Sequence, residues 1–278
     1  MVLDATIVPR PPYSLSVSAR LRSDSTRHYR DGTLTVALRA DDRPAVARVR
    51  QRPDGSLAAE VDGERPQAAL ELLRFVLGAD DDHSEFTRRF AADSLLGGPI
   101  RRLRGLRPLR TATVTHALLK AVCGQLIQAR AARQLEARLL GRACERHANL
   151  RLPPVRESFG DLSPAELARQ GLVARKATAL IRLSREWDVE RLHGVTTPAA
   201  AARIERERGL GPWSAGVVCL YGLGRFEQGL VGDLGLIKLC AALHGRRAEL
   251  DDTRELLEPY EEWAGLASVY LLAAGPKG

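Results

Sequence analysis

Two features of the sequence could do chemistry at a fixed spacing. The first is Arg208-Gly-Leu-Gly-Pro-Trp-Ser-Ala-Gly216, where two glycines one residue apart stand between two helical patterns. Such a turn tolerates positive backbone dihedrals and aims several amide groups outward at the start of the next helix. The helix dipole favours negative charge there, so an anion such as a nucleic-acid phosphate is a natural occupant. The second feature is Asp233, twenty-two residues beyond Gly211, in Gly229-Leu-Val-Gly-Asp-Leu-Gly-Leu-Ile-Lys-Leu239. An aspartate ahead of an apolar helical run ordinarily caps that helix. Residues 234–243 are apolar enough to be buried. That would place the carboxylate at the mouth of a partly desolvated cleft, where an acid can do chemistry. On the residues alone, both features keep bland readings as a helix–helix turn and an N-cap.

The elements that must position these residues fall into two parts. Residues 13–21 and 33–39 alternate with period two, and residues 45–50 and 56–61 read as further strands around the Pro53-Asp54-Gly55 turn. From Pro66 to Leu77 the pattern becomes helical, giving a small antiparallel α+β unit. From about Ser84 onward everything reads as helix. Residues 111–146 form a long amphipathic stretch interrupted around Cys123-Gly124-Gln125, and Ser163-Pro-Ala-Glu166 fits a capping box. Residues 173–187 form another amphipathic helix, and Thr197-Pro198 starts the next. The fold class expected is α+β. A β-rich N-terminal domain spans residues 1–95 and an all-helical domain residues 96–278, with the boundary inside 79–110. The basic run between Arg101 and Arg107 reads as a solvated face.

Composition narrows the class of partner. The 278 residues carry a net charge of +8, and lysine occurs only at positions 120, 176, 238 and 277, so arginine supplies nearly all the positive charge. Arginine grips phosphate in bidentate fashion, which suits a nucleic acid, although a codon bias toward arginine would give the same count. Cys123, Cys144, Cys219 and Cys240 are far apart, with no C-x-x-C pair, so buried thiols are expected and a zinc or iron–sulfur site is not. No apolar run is long enough to span a membrane and no signal segment is evident, so a cytoplasmic protein is expected.

The pairing of Gly209-Leu-Gly-Pro-Trp-Ser-Ala215 with Gly232-Asp-Leu-Gly-Leu236 resembles the signature of the helix-hairpin-helix, Gly/Pro-Asp DNA glycosylases. Leu118-Leu-Lys-Ala-Val-Cys-Gly-Gln-Leu-Ile-Gln128 is similar to the family's helix–loop–helix that carries a DNA wedge, and Gly171-Leu-Val-Ala-Arg-Lys-Ala-Thr-Ala-Leu180 to a recurrent family helix. Among these proteins the chain looks most like the bacterial 3-methyladenine DNA glycosylase II group, including its β-rich N-terminal domain.

The resemblance implies roles residue by residue. Such enzymes flip the target base out of the duplex and fill the gap. Leu126 would be the apolar wedge and Gln125 its neighbour at the lesion. Asp233 would be the catalytic carboxylate, stabilising the charge that develops on the deoxyribose. Trp213 stands where strand-cutting relatives place a Schiff-base lysine, which implies a monofunctional enzyme using water. Its indole face would stack on an electron-deficient alkylated purine. Gly209, Gly211, Trp213 and Ser214 would form the phosphate-binding hairpin, where relatives often hold a monovalent cation through carbonyls.

The base pocket would comprise Trp213, Val217, Tyr221 and Leu272. Val217 and Leu272 replace aromatic walls, for which Tyr221, Trp263 and Tyr270 could compensate. The implied function is excision of alkylated purines from double-stranded DNA by a cytosolic or nucleoid monomer, with no side-chain metal site and no iron–sulfur cluster. An oxidised- or deaminated-base glycosylase, and a non-catalytic damaged-DNA-binding protein, are the competing readings.

Overall fold

The computed structural model describes residues 1–20, 24–125 and 127–274. Five strands come from the first 63 residues: β1 (Val2–Ile7), β2 (Arg27–Arg30), β3 (Thr33–Ala40), β4 (Arg43–Gln51) and β5 (Leu57–Gly63). They form one antiparallel sheet in the spatial order β1-β5-β4-β3-β2. Register explains the burial. Leu34, Val49 and Ala59 are mutual cross-strand partners, as are Val36, Ala47 and Val61, and all six are buried. Period-two alternation turns that one face toward a shared core. Helix α1 (Leu15–Arg20) lies between β1 and β2 and α2 (Pro66–Leu77) follows β5, and α2 packs Ala69, Leu73, Val76 and Leu77 into the core.

Residues 15–20 correct an expectation, because they are a helical turn and not a strand. Leu15, Ser18 and Ala19 are buried at the i, i+3, i+4 spacing of a helix. Ser14 opens the turn, its hydroxyl accepting from the Val17 amide and its carbonyl from the Ser18 hydroxyl. Small serines between apolar residues mimic strand alternation, and local hydroxyl bonding decides for the helix.

The remaining helices are α3 (Ser84–Arg89), α4 (Gly97–Arg102), α5 (Val114–Gly124), α6 (Ala129–Ala143), α7 (Glu157–Gly160), α8 (Pro164–Arg169) and α9 (Ala174–Glu186). After them come α10 (Thr197–Glu205), α11 (Pro212–Val217), α12 (Leu234–His244), α13 (Leu250–Leu257) and α14 (Ala264–Ala274). A second core runs from Phe86 to Leu271 and gathers these helices, while Leu109 packs back into the sheet's core. Ser163 and Glu166 form the expected capping box at α8.

The reading of continuous helix after Ser84 fails at a two-stranded ribbon, β6 (Arg146–His147) and β7 (Leu150–Arg151). Its turn uses Ala148 and Asn149, both at positive φ, and asparagine tolerates that region well. Leu150 and Leu152 rest on Ala37 of β3.

The basic run is also only partly solvated. Arg101, Arg102 and Arg104 are exposed, but Arg107 is 1% exposed and Arg110 is 7% exposed. The Arg107 guanidinium donates to the carbonyls of Leu106, Arg10 and Asp81, and burial lowers its pKa. Arg110 donates to both oxygens of Asp81 and to the Phe75 carbonyl. These arginines join the two cores by answering carbonyl and carboxylate groups that would otherwise be buried without partners.

Candidate active site

Asp233 is set by the loop between α11 and α12. The amide of Leu230 donates to Ser268 Oγ at 3.1 Å, and that of Gly232 to Thr253 Oγ1 at 2.8 Å. Gly232 has φ of +85°, a turn open mainly to glycine, and the Asp233 amide returns to the Leu230 carbonyl at 3.0 Å. Asp233 caps α12: its Oδ1 accepts from the Gly235 amide at 2.8 Å. Its Oδ2 accepts from Trp213 Nε1 at 2.9 Å. Both carboxylate oxygens are therefore anchored, on a side chain that remains half-buried. The helix behind it is less buried than its composition suggests. Only Leu236 and Cys240 are buried, while Leu234 and Leu243 are exposed, because α12 packs on α13 and α14 through one face.

The hairpin supplies the other half of this contact. Gly209 has φ of +93°, as its position in the turn requires, but Gly211 is extended (φ −120°, ψ −168°) and serves as the N-cap residue of α11. The turn thus needs one left-handed residue and not two, since Pro212 already fixes the first helical position. Arg208 and Gly209 are exposed at its tip. Beyond Val217, α11 continues as a π-helical turn, Val218–Gly222, a feature frequent at functional sites. At Gly216 an added Cβ would fall 2.4 Å from the Gly229 carbonyl, so α11 lies directly against the loop that leads to Asp233. That approach brings Trp213 within reach of the carboxylate.

The loop after α5 meets the same place. A Cβ on Gly124 would lie 2.5 Å from Trp213 Cη2, so the indole occupies the space that this glycine leaves. Gln125 Nε2 donates to the Gly209 carbonyl at 2.5 Å and to Ser214 Oγ at 2.9 Å. Ser214 is 1% exposed, so its hydroxyl faces Gln125 and not an incoming phosphate, which corrects the expectation for its side chain. Leu126, the expected wedge, lies outside the described residues.

The remaining pocket residues divide. Leu272 is half-buried and in contact with the Gly235 position beside Asp233, where a Cβ would approach its Cδ2 to 2.5 Å. Val217 and Tyr221 are buried in the main core, and the Tyr221 carbonyl accepts from the Thr111 amide and hydroxyl. Tyr270 packs tilted against Phe86, and Trp263 stacks on Phe226, so both rings serve packing. Two surface hollows, one at Arg246–Glu255 and one at Val195–Gln228, include neither Asp233 nor Trp213.

Two residues act here that carried no sequence expectation. One is Gly124. The other is Lys176 on α9, whose Nζ donates to the carbonyls of Val122 at 3.1 Å and Gln125 at 3.3 Å. The scarcity of lysine was the available signal. Lys120 is equally specific, its Nζ donating to Asp24 Oδ2 at 2.9 Å and Glu136 Oε1 at 2.7 Å beneath α5. Burial alone would raise both carboxyls, but Lys120 holds them below their usual range, with Arg27 aiding at Asp24 and the His116 bond at Glu136. Asp24, His116 and Glu136 converge as metal ligands would, yet the Lys120 ammonium already bonds both carboxylates. That arrangement does not fit a metal ion.

Comparison with known proteins bears on the fold as a whole. No family model matches the chain. Over 217 residues, 72% of this chain and 71% of the relative, it is 29% identical to the DNA-3-methyladenine glycosylase of Bacillus subtilis. Its fold is that of the 3-methyladenine DNA glycosylase from Archaeoglobus fulgidus, with a TM-score of 0.85 at 20% identity over 96% of this chain and 97% of that one. The 8-oxoguanine glycosylase/lyase of Clostridium acetobutylicum is similar at a TM-score of 0.79 and 15% identity, over 99% and 97%. The chain thus has the fold of these DNA glycosylases and is similar in sequence to a DNA-3-methyladenine glycosylase.

Proposed function

We propose that the protein is a monofunctional DNA glycosylase that flips alkylated purines of the 3-methyladenine type out of double-stranded DNA and hydrolyses their glycosidic bond. The observation that carries this reading is the hydrogen bond from Trp213 Nε1 to Asp233 Oδ2. It joins an indole face, suited to a cationic base, to a carboxylate held in one orientation from both oxygens.

In the reaction the bond between C1′ and the base nitrogen breaks, and its electron pair leaves with the base. Positive charge grows on the sugar, and the fixed Asp233 anion offsets it without reorganising. A water oxygen then bonds to C1′ and releases a proton, leaving an abasic site. An alkylated purine already carries positive charge, so its departure needs no dedicated acid. Trp213 has no amine to attack C1′, which favours water over a Schiff base and argues against strand cleavage.

DNA is the partner this site suits. Arg208 at the hairpin tip, and Arg130 and Arg133 on α6 just beyond Gln125, are exposed and can neutralise phosphates. A monovalent cation at the hairpin would have to share carbonyls that already accept hydrogen bonds, Glu207 O from the Leu210 amide and Gly209 O from Gln125.

A second reading, release of an oxidised base, draws on the likeness to the 8-oxoguanine glycosylase/lyase over nearly the whole chain. Duplexes carrying 3-methyladenine, 7-methylguanine, hypoxanthine or 8-oxoguanine separate the two by which free base appears. Release of the methylated purines supports the first reading and release of 8-oxoguanine alone the second. A borohydride-trapped adduct would contradict the monofunctional mechanism, and binding without any release would leave a damaged-DNA-binding protein.

A further inference from the structure

We propose that Lys176 is a positioning residue for base flipping, holding the loop that probes the stack against the hairpin that grips the backbone. The proposal rests on the glycosylase reading above. It begins with an unfinished helix. The last carbonyls of any helix lack intrahelical donors, and a glycine in the left-handed region usually supplies a cap. At the end of α5 the capping position is Gln125, which is extended (φ −61°, ψ 121°), and the last turn holds no basic residue. The donor comes from another helix. Lys176 Nζ reaches from the first turn of α9 to the carbonyls of Val122 and Gln125 and sets a positive charge at the negative end of the α5 dipole. Burial lowers its pKa, consistent with an ammonium partly withdrawn from water.

Gln125 is thereby held twice. Lys176 fixes its backbone carbonyl, while its side-chain amide donates to Gly209 and Ser214 in the hairpin. Gly124, immediately before it, is packed against Trp213. Lesion loop, hairpin and the tryptophan that anchors Asp233 form one connected unit, with Lys176 as its brace from α9. Extruding a paired base sacrifices its stacking and pairing, and a probing loop delivers that work only from a rigid mount. The brace is not what docks α9, because Ala177, Leu180 and Ile181 bury that helix in the main core.

The test compares Lys176→Met, which keeps an apolar stem, with Lys176→Arg, which keeps a cation able to reach both carbonyls, and with Gln125→Ala, which cuts only the side-chain half. Single-turnover base release is measured on a fully paired lesion and on the same lesion opposite a mismatch, where flipping is cheap. The fluorescence of 2-aminopurine placed beside the lesion reports flipping directly. Lys176→Met is expected to slow release roughly tenfold to a hundredfold on the paired substrate and less than about threefold on the mismatched one. Its fluorescence rise is lost, its melting temperature is kept, and Lys176→Arg restores most of the rate.

An equal loss on both substrates, or no loss, overturns the proposal. So does a Gln125→Ala protein that flips paired lesions as the wild type does. If the wild type releases no base from any duplex, the glycosylase reading fails. The fluorescence still decides on Lys176: a rise on wild-type binding that vanishes in Lys176→Met supports the brace, and an unchanged or absent rise overturns it.

Discussion

Replacing Trp213 with phenylalanine removes a single hydrogen bond while keeping a ring in the same place. Asp233 Oδ2 loses its donor at 2.9 Å, and Oδ1 stays tied to the Gly235 amide at 2.8 Å. Two effects then compete. The freed oxygen carries more negative charge, which would favour the developing sugar cation, but the carboxylate can now rotate about its remaining anchor. A hydrogen bond to a charged group is worth about 1.5–3 kcal/mol net, so the orientation lost with it corresponds to roughly tenfold to a hundredfold in rate. The gain in charge on one half-exposed oxygen is smaller, because water replaces the indole as donor. Orientation should win. Single-turnover base release from a methylated-purine duplex is expected to slow by that factor, with DNA affinity nearly unchanged because the ring remains. An unchanged or faster rate would refute the view that Trp213 positions the carboxylate, and a change confined to KM would reduce Trp213 to a stacking surface.

Gly124→Ala should separate activity from stability. Alanine is favoured over glycine in a helix by up to about 1 kcal/mol, which offsets much of the overpacking cost of roughly 1–3 kcal/mol, so the melting temperature should fall only slightly. The new Cβ collides with Trp213 Cη2 at 2.5 Å, however, and base release should fall on the order of tenfold. Equal activity would show that the indole moves without consequence. Lys120→Met breaks a buried ion cluster and should cost roughly 3–5 kcal/mol at neutral pH by chemical denaturation. Asp24 and Glu136 have lowered pKa values, so their stabilising contribution is present above the ordinary carboxylate range and is lost as pH falls through the folded-state values. The deficit of the variant should therefore narrow on acidification. A gap that is constant with pH would contradict the role assigned to Lys120.

The sequence made some of this legible and hid the rest for identifiable reasons. The strand at 33–40 declares itself through near alternation, that at 43–51 through the Pro53-Asp54-Gly55 turn after it, and α2 through its amphipathic period and the proline at its first position. Residues 15–20 did not, because serines at alternate positions imitate a strand while their hydroxyls stabilise a helical turn. Arg107 read as solvated because charge is normally outside; only the three carbonyls converging on it justify its burial. At the site, the spacing of Gly211, Trp213 and Asp233 was visible, but the bond between the last two was not, since it depends on the Gly216–Gly229 approach. Gly124 and Lys176 act through space across helices distant in sequence, which no local pattern encodes.

The central claim is that Asp233 is the group through which the protein breaks the glycosidic bond, and Asp233→Asn tests it most directly. Asparagine caps a helix about as well as aspartate, so Oδ1 can still accept from Gly235 and the fold should be kept. Free-base release from methylated-purine duplexes, measured beside duplex affinity and melting temperature, is expected to fall by two orders of magnitude or more while the other two stay near wild type. Release retained at the wild-type rate in a folded, DNA-binding Asp233→Asn protein would contradict the account.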